Sequence, residues 1–480
     1  HEKEVRDLLT RFFDRTISRR EFLTRAAALG AAVPVMSGLL PGMDGGPART
    51  PGVASVTGRT TGAEEQVLRF PFFEPTSPLD PGLTSDFTVG ITTQLFNGLT
   101  SYTKTGELRE AASYEVSEDG LTYTFTLRDD LKWSDGTPIT AFDYEYAWKR
   151  VIDPKTGAYY AFVMHHIENA KAVNTGESDD LDSVGVKALD ERTLQIKLDQ
   201  PAGYILPLLA VWSFYPVPKA KIEAHGDKWI EAENIICNGP FMMESWEHDQ
   251  LMALVPNPEY SGEKPKLSRL ELVLLEDHTS MALPAYENDE LDYAMVPVAE
   301  IDRIRKDPVL SQELHFGKKL RPVFINFDCS HAPWDDVRVR QAFALAVNRD
   351  EIVNSIFKGA YKPIKTLIPE PILGWTEDVA LPGGVEEAQA LLAEAGFPGG
   401  EGFPEFTLIG PNDERHRLLA PALQAQWQNN LGITSMKIQL LEHKAYWEAN
   451  TSHKNQPFDM LSGGWTADYI DPVNYFNDLW

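Results

Sequence analysis

Near the end of the chain, the loop Gly464-Trp465-Thr466-Ala467-Asp468-Tyr469-Ile470-Asp471-Pro472 sets a carboxylate between aromatic rings. A carboxylate in that setting can receive an ammonium group through charge-assisted hydrogen bonds, strengthened where the rings exclude water. Asp468 is the acceptor in this reading. The same spacing also suits a plain turn or N-cap carboxylate beside a core ring. Asp468 and Asp471 read as the paired acids of a hydrolase give a third alternative. It has little support, because the chain contains no His-Glu-x-x-His, no Gly-x-Ser-x-Gly and no glycine-rich phosphate loop. His165, His166 and Glu168 are the one conceivable metal cluster, but adjacent histidines seldom point at one ion and a solvated loop fits them better.

The elements that must position such a loop are legible in outline. Tyr123, Phe125 and Leu127 alternate with Thr122, Thr124 and Thr126, the period of a half-buried strand. Further strands are predicted at 67–73, 193–198, 267–275, 293–296, 323–327, 406–409 and 437–441. Asp335-Asp336 predicts a cap for a helix over 337–347, and helices over 386–395 and 416–430 are stopped by Gly396 and Gly432. This alternation of strand and helix points to α/β architecture rather than an all-β or helical one.

The most specific phrase is Leu131-Lys-Trp-Ser-Asp-Gly-Thr-Pro-Ile-Thr-Ala-Phe-Asp-Tyr-Glu-Tyr-Ala-Trp-Lys-Arg150. It joins an extended piece ending at Trp133, a Ser-Asp-Gly turn, and a helix that Thr140 and Asp143 cap in the manner of a capping box. With Asn238-Gly-Pro-Phe241 and Val337-Arg-Val-Arg-Gln-Ala-Phe-Ala-Leu-Ala-Val-Asn-Arg349, it resembles the extracytoplasmic solute-binding proteins of ABC importers, in particular their oligopeptide- and dipeptide-binding group. The resemblance implies an α/β, two-lobed periplasmic-binding-protein fold of class II type with an extra subdomain inserted in the first lobe. Lobe I then falls at 67–95 and 220–320, the insert at 96–219 and lobe II at 321–480.

The resemblance also implies a function: capture of oligopeptides by lobe closure and delivery to membrane permease subunits, by a monomer, without catalysis or cofactor. The same fold with a non-peptide solute, such as an oligosaccharide, a metal chelate or an opine-like compound, is the alternative. By matched position, Asp468 takes the peptide's α-amino group, Trp465 lines the adjacent side-chain pocket, and Tyr160 touches the peptide N-terminus. Glu74 falls near the ligand, and His416 helps bind a peptide carboxylate. Ser462 and His453 stand where some relatives carry Arg, a departure that bears on peptide length.

Ser18-Arg19-Arg20-Glu21-Phe22-Leu23 followed by a weakly apolar run to Leu40 matches a twin-arginine export signal, with a Gly- and Pro-rich linker over 41–66. Export to the periplasm or cell surface is therefore expected. The resemblance further implies that lobe II continues beyond Trp480. Acidic residues outnumber basic ones 71 to 44, for a net charge of −27, which repels phosphates and argues against nucleic acid or anionic lipid as partners. Cys237 and Cys329 are too few for a disulfide framework.

Overall fold

The structure, a computed structural model, describes residues 66–476 except 104–106, 111, 318, 377, 443–444, 447–448 and 450–457. The twin-arginine pattern, the linker up to Glu65, His453 and Trp480 lie outside the described residues. The chain divides into two units, His1–Val296 and Pro297–Trp480. Among the described residues no helix is long and apolar enough to cross a membrane.

The first unit contains two four-stranded sheets and an antiparallel pair, β2 (Thr100–Tyr102) with β3 (Leu108–Glu110). One has the order β1 (Val67–Phe72), β10 (Arg269–Leu274), β9 (Leu251–Pro256), β8 (Phe241–Glu247), with β1 parallel to β10 and the other pairs antiparallel. Leu270, Leu272 and Leu274 alternate as the buried face of β10. The other sheet is β4 (Ala112–Val116), β5 (Thr122–Leu127), β7 (Thr193–Lys197), β6 (Val186–Ala188), all antiparallel. Its register sets Phe125 opposite Leu194 and Tyr123 opposite Ile196, so the apolar alternation of both strands falls on one buried face.

The Trp133 turn and the helix Ala141–Ile152 form as their residues dictate. Gly136 takes φ 85°, and the Asp135 carboxylate accepts from the Thr137 N–H at 3.0 Å. Asp143 accepts from the Thr140 backbone N–H at 2.8 Å and from its hydroxyl at 2.9 Å, satisfying donors that the first turn leaves open. The helix buries Tyr144, Ala147, Trp148 and Val151; the Trp148 indole donates to Phe214 O at 2.8 Å and meets the Phe214 ring edge-on. Arg150 reaches back to the fully buried Asp80 in a two-pronged pair at 3.0 and 2.7 Å, and Trp229 Nε1 donates to the same carboxylate at 3.1 Å.

The expected strand at 293–296 does not form. Asp292 beside the free edge of β1 takes its place: its N–H donates to Arg69 O at 2.9 Å and its carboxylate accepts from Arg69 N at 2.8 Å. Tyr293 then stacks on Phe70 at 4.7 Å. A side chain supplies the pairing a ladder would have given, so the backbone beyond it need not extend.

The second unit has a mixed sheet in the order β11 (Val323–Phe327), β14 (Met460–Gly464), β12 (Phe406–Pro411), β13 (Met436–Leu441). β14, β12 and β13 are parallel, while β11 runs against β14 with Val323 opposite Gly464. The helix Glu414–Leu431 connects β12 to β13 and ends at Gly432 in the left-handed conformation that glycine adopts at no steric cost. Trp334, Phe343, Phe406 and Trp427 pack ring to ring in the core, with Trp427 Nε1 donating to Phe343 O at 2.9 Å.

Both cysteines are free. His165, His166 and Glu168 take separate partners, Asn174, Tyr204 and Lys197 respectively.

Candidate functional site

The second sheet brings one set of loops together by topology. β13 lies on one side of β12 and β14 on the other, so the chain changes direction at β12. In open sheets of this kind ligands sit beyond the carboxyl ends of the strands, where the order reverses. The segments leaving β12, β13 and β14 emerge at that edge, as does the approach to the antiparallel β11. These segments carry Asp413, Arg415 and His416; Tyr446; Trp465, Thr466 and Asp468; and Arg321.

The Asp468 loop is held by a residue that sequence reasoning missed. Trp465 N–H donates to Pro322 O at 3.3 Å and Ala467 N–H to Leu320 O at 3.0 Å, continuing the β11–β14 pairing past its end. Asn474, fully buried, accepts from Trp465 Nε1 at 2.9 Å and from the Asp468 N–H at 3.0 Å. Its amide then donates to Asp468 Oδ2 at 3.3 Å. One side chain thus fixes both the ring and the half-buried carboxylate. Beneath them Tyr475 donates to Leu320 O at 2.9 Å, and burial, then the Asp468 charge, raises its phenol well above the ordinary value. Ile368, Ile372 and Leu367 complete the apolar floor with Trp465 and Ala467. The signal available in sequence was Asp471-Pro472: Asp471 caps the short helix Val473–Phe476 by accepting from the Val473 N–H at 2.9 Å, which turns Asn474 inward.

His416 is buried in the first turn of its helix. Its Nδ1 lies 2.7 Å from Asp413 Oδ1, which also accepts from the His416 N–H at 2.8 Å. A carboxylate only accepts, so Nδ1 donates to Asp413, while Nε2 is buried with no hydrogen-bond partner. Burial raises the Asp413 carboxyl, but the hydrogen bonds and charge of His416 outweigh it and leave it below its ordinary value.

The other two expected residues belong to the first unit. Tyr160 is buried with its ring 4.6 Å from Trp212 and 5.3 Å from Phe162, while its neighbour Tyr159 is exposed. Glu74 Oε1 lies 2.8 Å from His248 Nδ1, and its Oε2 accepts from the Asp249 N–H at 2.9 Å. Asp468, Trp465 and His416 therefore share one sheet edge; Tyr160 and Glu74 stand apart from each other in different packing environments.

Comparison with known proteins adds an independent line. The family model for bacterial extracellular solute-binding proteins, family 5, matches residues 108–480. The oligopeptide-binding protein OppA of Bacillus subtilis is 32% identical over 417 residues, covering 84% of this chain and 75% of that protein. A probable deoxycholate-binding periplasmic protein, YgiS, of Escherichia coli is 32% identical over 438 residues, covering 89% and 80%. Among solved structures, the murein tripeptide binding protein MppA of Escherichia coli superposes with a TM-score of 0.74 at 29% identity, covering 87% of this chain and 82% of that one. Such relatives have the two-lobed fold.

Proposed function

The chain belongs to the bacterial extracellular solute-binding proteins of family 5, and from that premise we propose that it captures oligopeptides and delivers them to the permease of an ABC importer. The observation that carries the reading is the Asn474-braced pair of Trp465 and Asp468 at the carboxyl edge of the second sheet. A fixed carboxylate beside a ring receives a peptide's α-ammonium group, and the main chain of an extended peptide pairs with backbone as an added strand would. Position within the family adds His416, Tyr160 and Glu74 to the proposed ligand-binding residues. Lobe closure follows from tighter binding to the closed state, which the ligand then populates. The role is binding, with no chemical turnover and no cofactor. The Arg19-Arg20 pattern supports export, in folded form, to the periplasm or cell surface.

The test is mass spectrometry of what the protein carries after purification from peptide-rich medium, followed by calorimetry of Asp468→Asn. A ladder of short mixed peptides, with Asp468→Asn weakening tripeptides that have a free amino terminus about 100-fold and sparing N-acetylated ones, is the expected result. A single non-peptide mass would instead assign a different solute to the same scaffold.

A further inference from the structure

The chain passes from the first unit to the second between Val296 and Pro297. On one side of that point, the pairing of Asp292 with Arg69 and the stack of Tyr293 on Phe70 hold the backbone to β1. On the other, the turn Val298–Glu300 runs into the helix Ile301–Lys306, with Val298, Ile301 and Ile304 buried. Residues 294–297 between these anchors form neither helix nor strand.

A helical run leaves its first N–H groups without an internal acceptor. Pro297, at the cap position, has no side-chain oxygen to offer them. The acceptor comes from far along the chain: Glu414 Oε2 takes the Val298 N–H at 3.2 Å and Oε1 the Ala299 N–H at 3.4 Å. Both oxygens of one carboxylate close the run, and negative charge is favoured at such a start.

Glu414 itself opens the helix Glu414–Leu431, beside the cap residue Asp413 and two positions before His416. That turn lies on the segment leaving β12, at the carboxyl edge of the second sheet. One side chain therefore ties the backbone entering the second unit to the first turn of a helix at the candidate site.

We propose that Glu414 is a positioning residue: it locks the entering segment to the site turn, so that residues 294–297 absorb the swing between lobes and a ligand held at the turn restrains it. The inference rests on the reading above of a two-lobed protein that closes on a peptide. It asks no ligand contact of Glu414, whose two oxygens are already engaged.

Two readouts on the full chain test it in wild type, Glu414→Gln and Glu414→Ala. One is hydrogen exchange at the Val298 and Ala299 amides. The other is single-molecule energy transfer between dyes on the exposed Cys329 and on Lys171→Cys, an exposed position of the first unit. Without ligand, Glu414→Ala should exchange both amides about 5- to 10-fold faster and broaden the transfer distribution. Glu414→Gln, which keeps one acceptor oxygen, should fall between. Ala-Ala-Ala should narrow the wild-type distribution to one population, whereas Glu414→Ala keeps a second and binds about 5-fold more weakly. Unchanged exchange in Glu414→Ala overturns the proposal. Faster exchange with a wild-type transfer distribution also overturns it, because Glu414 is then a local cap alone. Either result leaves the peptide reading standing. If Glu414→Ala broadens the distribution but Ala-Ala-Ala does not narrow that of wild type, the peptide reading falls and the role of Glu414 stands. Should Glu414→Ala fail to fold, Glu414→Gln carries the test: partial loss in both readouts supports the proposal, and wild-type behaviour in both refutes it.

Discussion

Replacing Asn474 by Ala tests whether one buried amide holds the ligand loop. The substitution removes the acceptor shared by Trp465 Nε1 and the Asp468 N–H and the donor to Asp468 Oδ2. Each buried group left unpaired costs about 1–3 kcal/mol, so partial relaxation gives an expected loss of about 2–3 kcal/mol. For a unit of this size, about 2–4 °C of melting temperature follows each kcal/mol, which predicts a drop of about 4–12 °C by circular dichroism. Peptide affinity should fall by about 10-fold, because the Asp468 carboxylate loses its orienting partner. Asn474→Asp sharpens the test: its carboxylate still accepts from both donors but faces Asp468 Oδ2, where the amide nitrogen now lies at 3.3 Å. Two carboxylates at that distance share a proton, so the folded state binds a proton more tightly than the unfolded one. Its stability deficit against wild type should therefore be largest at neutral pH and shrink as the pH falls through the raised value. A lower melting temperature with tripeptide affinity unchanged within twofold would refute the positioning role and leave Asn474 as core packing alone.

Asp80→Ala strands Arg150 without its buried counter-charge, and urea unfolding should show a loss of about 3–5 kcal/mol; a loss under about 1 kcal/mol would mean that water replaces the pair. His248 lies between Glu74 and Glu231, and its hydrogen bond to Glu74, ahead of its other contacts, raises its pKa above the ordinary value. That stabilisation is complete below the unfolded value of about 6.5 and is lost as pH rises through the folded one, so the melting gap between wild type and His248→Gln should narrow from pH 6 to pH 8.5; a gap that does not change with pH would remove the charge from the account. Iodoacetamide on the native protein should label the exposed Cys329 and spare Cys237, whose thiol burial pushes up to about 12; equal labelling rates would contradict the packing around Cys237.

Local signals carried the parts of the fold that local physics decides. The alternation in Thr122–Leu127 became a buried face because Tyr123 and Phe125 found Ile196 and Leu194 opposite them on β7, and Leu127 found Ala112 on β4. Thr140, Asp336 and Gly432 bounded helices as their side chains or lack of one require. The 293–296 strand failed where a carboxylate outcompeted the ladder, a choice that depends on Arg69 more than 200 positions away. At the site, Asp468 and Trp465 were legible because a carboxylate among rings is rare enough to notice. Asn474 was not, since a polar residue after Pro472 looks like any helix start, and its burial arises only when the loop folds over it.

The parallel pairing of β1 with β10 has a consequence for biosynthesis. Val67 must wait for Arg269, a separation of 202 positions (269 minus 67), before its ladder can begin. At roughly 5–20 residues per second, translation leaves the β1 edge without its partner for about 10–40 s. The β4–β5–β7–β6 sheet and the helix on it are synthesised wholly within that interval. Their antiparallel neighbours are closer in sequence and pair sooner. The intervening domain is thus placed to fold first, shortening the effective loop that β1 must close once its partner emerges.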